Sequence, residues 1–132
     1  RRNGIQGVDS AIADAAVSTA DRVGASVILA FTESGSTAAR VAGFRPSVPI
    51  IVITHDDAVG RALALRWGVM VVTTPRPNSI DEMFRLGSRI ALESGLAKER
   101  ERAVAVIGLP IGVHGSTNLL RVIDLPEPEA DV

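Results

Sequence analysis

The residues of this chain whose types and spacing suggest chemistry are hydroxyls gathered around a glycine. Residues 31–38 read Phe-Thr-Glu-Ser-Gly-Ser-Thr-Ala, after an apolar run at residues 26–30 and before a helix-like run at residues 38–42. A strand that ends this way and turns into a helix aims hydroxyls and unpaired backbone N–H groups at one point, where the helix N-terminus adds partial positive charge. That arrangement suits a phosphate. Thr32, Ser34, Ser36 and Thr37 are the candidate donors, Gly35 allows close backbone approach, and Glu33 is the one charged member. A second Gly-rich and hydroxyl-rich stretch, residues 108–118, contains Gly115-Ser-Thr-Asn118, so Gly115 and Ser116 join the candidate set. His55 and His114 are the only histidines, and neither has a partner at metal-ligand spacing. Without cysteine there is no thiolate catalysis, zinc–thiolate site or disulfide framework, in keeping with a reducing cytoplasm. No Ser-His-Asp set or convergent carboxylate pair is present. The chemistry on offer is binding.

The elements that must position these loops follow from periodicity and punctuation. Apolar residues Val8, Ile12, Ala16, Ala20 and Val23 recur near the helical period, and Gly24 sits where a C-terminal cap would. Asp9, Asp14 and Asp21 read as the solvated side of that helix. Residues 26–31 form a fully apolar strand, residues 38–42 a helix ended by Gly43, and residues 49–54 a second buried strand after the Pro46/Pro49 turn. Asp56 and Asp57 open a third helix carrying Val59, Ala62 and Leu63 on one face, with Trp67 packed at its end. Residues 69–73 are a third strand, followed by the loop of Pro75 and Pro77. Ser79 and Glu82 form a capping box for a helix striped by Ile80, Met83, Phe84, Gly87, Ile90 and Ala91. The sign-alternating residues 98–102 read as a solvated turn, residues 103–107 as a fourth strand and residues 119–125 as a fifth.

Strands alternating with helices indicate a three-layer α/β/α domain around a largely parallel sheet. The connection at residues 108–118 has no helix, and a parallel crossover needs one, so the fifth strand is expected antiparallel at the edge. The expected fold is a five-stranded mixed sheet, and the order taken for it is 3-2-1-4-5. Its order reverses between strands one and four, which brings residues 32–37 and 108–118 together at the ligand-binding crevice. In that reading the domain spans residues 8–125, residues 1–7 are a leader without firm structure, and residues 126–132 are a frayed acidic tail. The chain begins at Arg1 instead of Met, as a fragment of a longer protein would.

The chain has 132 residues, 46% hydrophobic and 22% charged, which is one domain of ordinary globular composition. Lys+Arg 14 against Asp+Glu 15 leaves a net charge of −1, without the basic footprint of a nucleic-acid binder. No apolar run approaches the roughly 20 residues of a membrane span.

Four motifs in order carry a family resemblance: Phe31-Thr-Glu-Ser-Gly-Ser-Thr-Ala38, Phe44-Arg-Pro-Ser-Val-Pro-Ile50, Trp67-Gly-Val69 and Gly112-Val-His-Gly-Ser-Thr-Asn-Leu-Leu120. Together they resemble the C-terminal domain of pyruvate kinase, in register over nearly the whole chain. The resemblance implies the same five-stranded sheet and no catalytic site in this domain. Phosphoryl transfer from phosphoenolpyruvate to ADP, with Mg²⁺ and K⁺, belongs in that family to a barrel and lid that this chain lacks. The C-terminal domain instead binds an allosteric activator and supplies one interface of a cytoplasmic tetramer. By resemblance, Thr32, Glu33, Ser34, Gly35, Ser36 and Thr37 are the activator-phosphate loop, and residues 108–116, with Gly115 and Ser116, the second effector-side loop.

One departure bears on the ligand. Members activated by fructose 1,6-bisphosphate tend to carry a basic residue where this chain has Glu33. A carboxylate about 4 Å from a phosphate charge costs roughly 1–4 kcal/mol, depending on the effective dielectric. A sugar or nucleotide monophosphate is therefore expected over the bisphosphate, with loss of effector response as the other outcome. Two further readings stand beside this one. A free-standing paralogue would sense a phosphorylated metabolite for another partner. A sugar-phosphate isomerase-like enzyme would need Glu33 or His114 as its base. Arg45 reads as a packing or interface residue, and Arg121 as either an effector-neutralising cation or a surface residue.

Overall fold

A computed structural model describes residues 7–108 and 117–128. Its elements are α1 (Val8–Arg22), β1 (Val27–Phe31), α2 (Ser36–Gly43), β2 (Ile50–Thr54), α3 (Asp57–Leu63), β3 (Val69–Thr73), α4 (Ile80–Glu93), β4 (Arg102–Gly108) and β5 (Thr117–Asp124). Each start and stop has a local cause. The Asp56 carboxylate accepts from the N–H groups of Ala58 (2.8 Å) and Val59 (3.2 Å) to open α3. Ser79 Oγ accepts from the Glu82 N–H at 3.1 Å to open α4. Beyond α1, Gly24 takes φ 65, a left-handed value that a side chain would resist.

The sheet order is β3-β2-β1-β4-β5, with β1, β2, β3 and β4 parallel and β5 antiparallel to β4, which is the expected order and edge. From β1 the chain winds outward through α2 and α3 to β3. It then returns through α4 on the opposite face to lie beside β1, and this return creates the switch point. Every residue of β1 and β2 is buried, so alternate side chains feed two separate cores. Val27, Leu29, Phe31, Ile51 and Ile53 pack with Met83, Phe84, Ile90 and Ala91 of α4. Ile28, Ala30, Ile50 and Val52 pack with Ala13, Ala16 and Ala20 of α1, Val41 of α2 and Leu63 of α3. The alanine face lets α1 lie close on the sheet.

Several local expectations give way. α3 turns Gly60 and Leu63 inward and leaves Ala62 outside, because Gly60 sits tight against β3: a Cβ there would stand 2.9 Å from Val71 Cγ1. Trp67, expected to pack at the end of α3, is 99% exposed; α3 stops at Leu63 and the chain turns away before the indole can reach the core. Asp9, expected to be solvated, is half-buried and pairs with Arg40 of α2 at 3.6 Å. The charged run at residues 98–102 is by contrast the exposed turn expected of it, closed where Glu101 accepts from the Lys98 N–H (2.8 Å) and the Ser26 hydroxyl (2.9 Å), while Arg102 pairs with Asp124 across β4 and β5. Within the expected tail, Glu127 donates its N–H to Ser88 Oγ at 2.8 Å and binds Arg121 at 2.9 Å. Arg121 also lies over the Phe84 ring, 4.4 Å from its centroid. It pairs with Ala105 in mid-strand, and its side chain is engaged by Phe84 of α4 and by Glu127.

Candidate functional site

β1 hands the chain to α2 in the four residues between Phe31 and Ser36. The turn is closed from within. Buried Thr32 accepts the Gly35 N–H on its Oγ1 at 2.8 Å, so that N–H is already satisfied. Ser34 is exposed, Ser36 is half-buried, and their hydroxyl oxygens lie 3.1 Å apart. The Ser36 N–H points at Ser34 Oγ at 3.4 Å. α2 then starts from Gly35 with no side-chain cap. An N-terminus of this kind keeps its partial positive charge available to an anion.

The six residues divide by role. Ser34 and Ser36 face outward and can offer hydroxyls to one bound group. Thr32 and Thr37 are buried, and Thr32 Oγ1 holds the turn. Gly35 has φ 93, and a Cβ there would meet Val59 Cγ1 at 3.4 Å and Leu63 Cδ1 at 3.5 Å. Contact at that range is ordinary, so it is the left-handed φ, not lack of space, that calls for glycine here. The sixth residue, Glu33, reaches sideways over the end of β2. Its Oε1 meets Arg76 Nη2 at 2.5 Å and His55 Nε2 at 3.1 Å. His55 Nε2 is also 3.0 Å from Arg76 Nη2. Arg76 only donates and Glu33 only accepts, so Nε2 satisfies one of them at a time: Arg76 when bare, Glu33 when it carries the proton.

Arg76 is the residue that sequence reasoning missed. It lies between Pro75 and Pro77, where the prolines marked a loop and the charge between them went unread. The available signal was topological. In a parallel sheet of order 3-2-1, the loops leaving β1, β2 and β3 open at the same end, which brings Glu33, His55 and Arg76 together. Of the two bases the isomerase reading offered, Glu33 is engaged by Arg76, and His114 lies outside the described residues.

On the other side of β1 stands β4. Phe31 pairs with Ile107, so the chain leaves both strands at one level and about 5 Å apart. Gly108 pairs with Thr117, so the connection to β5 departs from and returns to that same end. Gly115, Ser116 and His114 lie outside the described residues. Among the described residues, no three His, Asp or Glu side chains cluster so as to hold a metal ion, and no helix is long and apolar enough to cross a membrane.

Comparison with known proteins matches this geometry to one family. A profile described as pyruvate kinase, alpha/beta domain, covers residues 10–123. Pyruvate kinase from Geobacillus stearothermophilus is 40% identical over 115 residues, which are 87% of this chain and 20% of that protein. Pyruvate kinase from Lactobacillus delbrueckii subsp. bulgaricus is 36% identical over the same share of each. The crystal structure of a pyruvate kinase from Cryptosporidium parvum superposes with a TM-score of 0.83 at 29% identity, over 93% of this chain and 24% of that one. The chain thus spans about a fifth to a quarter of the relatives it matches. With the family profile over most of its length and the sheet order of the fold, the chain belongs to the pyruvate kinase family as its C-terminal alpha/beta domain.

Proposed function

We propose that this domain is the regulatory and assembly module of a pyruvate kinase, and that residues 32–37 receive the phosphate of an effector. The observation that carries the reading is the β1–α2 turn. Two outward hydroxyls, Ser34 and Ser36, stand at an N-terminus without a side-chain cap, beside the switch point of an open α/β sheet. Residues 108–116, with Gly115 and Ser116, are the proposed second wall, since they leave β4 at the level where β1 ends.

The proposed ligand is a sugar or nucleotide monophosphate. Residues 32–37 include no Lys or Arg to meet a second phosphate, and Arg76 is held by Glu33. Catalysis belongs to a barrel domain elsewhere in the enzyme, which works in the cytoplasm as a homo-oligomer and holds Mg²⁺ and K⁺. The chain alone should not turn over phosphoenolpyruvate and ADP with those ions, and turnover would refute that part of the reading.

The binding test is thermal and chemical unfolding with ribose 5-phosphate, glucose 6-phosphate, AMP or fructose 1,6-bisphosphate. A monophosphate at 100 times its Kd should add about 2.7 kcal/mol of stability, and Ser34→Ala/Ser36→Ala should remove the gain. A flat response to all four ligands would leave assembly as the domain's role.

A further inference from the structure

Three loops leave the sheet where β1, β2 and β3 end, and each sends one titratable or charged side chain to the same place. Glu33 comes from the β1–α2 turn, His55 from the entrance to α3 and Arg76 from the loop before α4. His55 Nε2 lies 3.1 Å from Glu33 Oε1 and 3.0 Å from Arg76 Nη2, within hydrogen-bond range of both. The side chains of Glu33, His55 and Arg76 are 22%, 33% and 52% exposed, so protons reach the cluster from solvent. No other charged side chain among the described residues pairs with the imidazole. Asp56, next in the chain, gives Oδ1 to the Ala58 and Val59 N–H groups, and Asp57 is exposed in the first turn of α3. Asp81 and Glu82, in the first turn of α4, are exposed and form no ion pair among the described residues.

Imidazole is the side chain whose ordinary titration falls between about pH 5 and 8. With Nε2 bare the ring is neutral and accepts from Arg76, and the charges of Glu33 and Arg76 cancel. With a proton on Nε2 the ring donates to Glu33 and can no longer accept from Arg76, and the cluster carries one net positive charge. We propose that His55 makes the phosphate turn proton-linked: protonating Nε2 adds a positive charge beside residues 32–37 and tightens their hold on an anion. The inference rests on the proposal that those residues receive a phosphate. Two features of the geometry fix its sign. Glu33 belongs to the turn itself, one residue before Ser34, so the charge that the imidazolium offsets is the turn's own carboxylate. Arg76 meanwhile loses its acceptor on the ring, and its half-exposed guanidinium is held by Glu33 alone. Linkage then requires the converse: a bound anion must raise the proton affinity of His55 by the same factor.

A phosphate monoester would mask the effect, because its own second pKa is about 6. The test therefore uses inorganic sulfate, which stays doubly charged throughout, with chloride holding the ionic strength constant. Affinity is read from the amide shifts of residues 34–37, and the His55 titration from its ring Cε1–H signal, assigned with His55→Gln. Sulfate should bind roughly tenfold more tightly near the acid end of the imidazole range than at its alkaline end, the effect of one unit charge at about 8 Å. Saturating sulfate should raise the midpoint of the His55 titration by about one pH unit. Without sulfate, Glu33→Gln should lower that midpoint and Arg76→Gln should raise it. His55→Gln should hold sulfate with the parent's alkaline affinity at both ends. Equal affinities of the parent at the two ends overturn the inference. So does a pH dependence that survives in His55→Gln, which would belong to His114, the only other histidine. A His55 midpoint indifferent to both Glu33→Gln and Arg76→Gln overturns it as well, since the three groups would then be uncoupled. Amides of residues 34–37 that ignore sulfate at both ends would remove the effector reading and this inference together, whereas pH-independent binding removes the inference alone.

Discussion

Glu33 sits beside the proposed phosphate site with its carboxylate already engaged. Its charge is met by Arg76, and the pair points over β2, away from β4. Arg76→Gln would leave that charge uncompensated. At about 8 Å and an effective dielectric near 20, the repulsion of a bound phosphate is roughly 2 kcal/mol before salt screening. We expect Arg76→Gln to weaken monophosphate binding about tenfold and Glu33→Gln to strengthen it. The double variant should return close to the parent. Calorimetric titration at low and high salt checks all three, and equal affinities for Arg76→Gln and the parent would show that the pair has no influence on the ligand. A second carboxylate carries a pH prediction. Glu101 is held below the usual range by the Lys98 N–H first and the Ser26 hydroxyl second. Its folded pKa is depressed, so its contribution is complete above the unfolded value and is lost as pH falls through the folded one. Glu101→Gln should therefore be less stable than the parent at neutral pH, and the two urea midpoints should converge in acid.

At the scale of elements, two glycines set how closely helices approach the sheet. A Cβ on Gly60 of α3 would stand 2.9 Å from Val71 Cγ1, and one on Gly87 of α4 would stand 3.0 Å from both Leu29 Cδ1 and Phe31 Cζ. Alanine would raise helix propensity by about 1 kcal/mol at either site, but overpacking typically costs about 1–3 kcal/mol. We expect Gly60→Ala to be net destabilising by about 1–2 kcal/mol in urea unfolding, because branched Val71 has no slack. Gly87→Ala should also disturb the ring of Phe31, the last residue before the phosphate loop, and so weaken ligand binding as well as stability. A Gly87→Ala protein with unchanged affinity would mean that the loop is positioned independently of α4. These helices also show what the sequence could and could not reveal. Met83, Phe84, Gly87, Ile90 and Ala91 repeat over more than two turns of a 14-residue helix, so the inward face of α4 was legible. α3 has only seven residues, and its closest approach is made by a glycine that carries no hydropathy signal; hence Ala62 was placed inside and Trp67 was given a packing role.

At the scale of the whole molecule, the alternation of strands and helices predicted the parallel sheet and the helix-free connection its antiparallel edge, and the strand order brings the chain leaving β1 at Phe31 and β4 at Gly108 to one end. Arg76 and the Trp67 face were harder to read, because each depends on which chain ends meet in space. The same architecture sets how far a local change can travel. β1 sends Leu29 to the α4 core and Ile28 to the α1 core, so both cores hang on the same five strands. Leu29→Ala should cost about 2–5 kcal/mol through lost burial and the cavity left behind. If the domain unfolds as one unit, the most protected amides of α1, on the opposite face from Leu29, should lose protection by that same free energy. Protection lost in α4 alone would divide the molecule into two independent layers. The distinction bears on signalling. α2 carries the proposed phosphate turn on the α1 side, so on that proposal the binding of an effector reaches the α4 side through the shared strands. A cooperative response to Leu29→Ala is therefore the stability counterpart of the coupling that an allosteric domain requires.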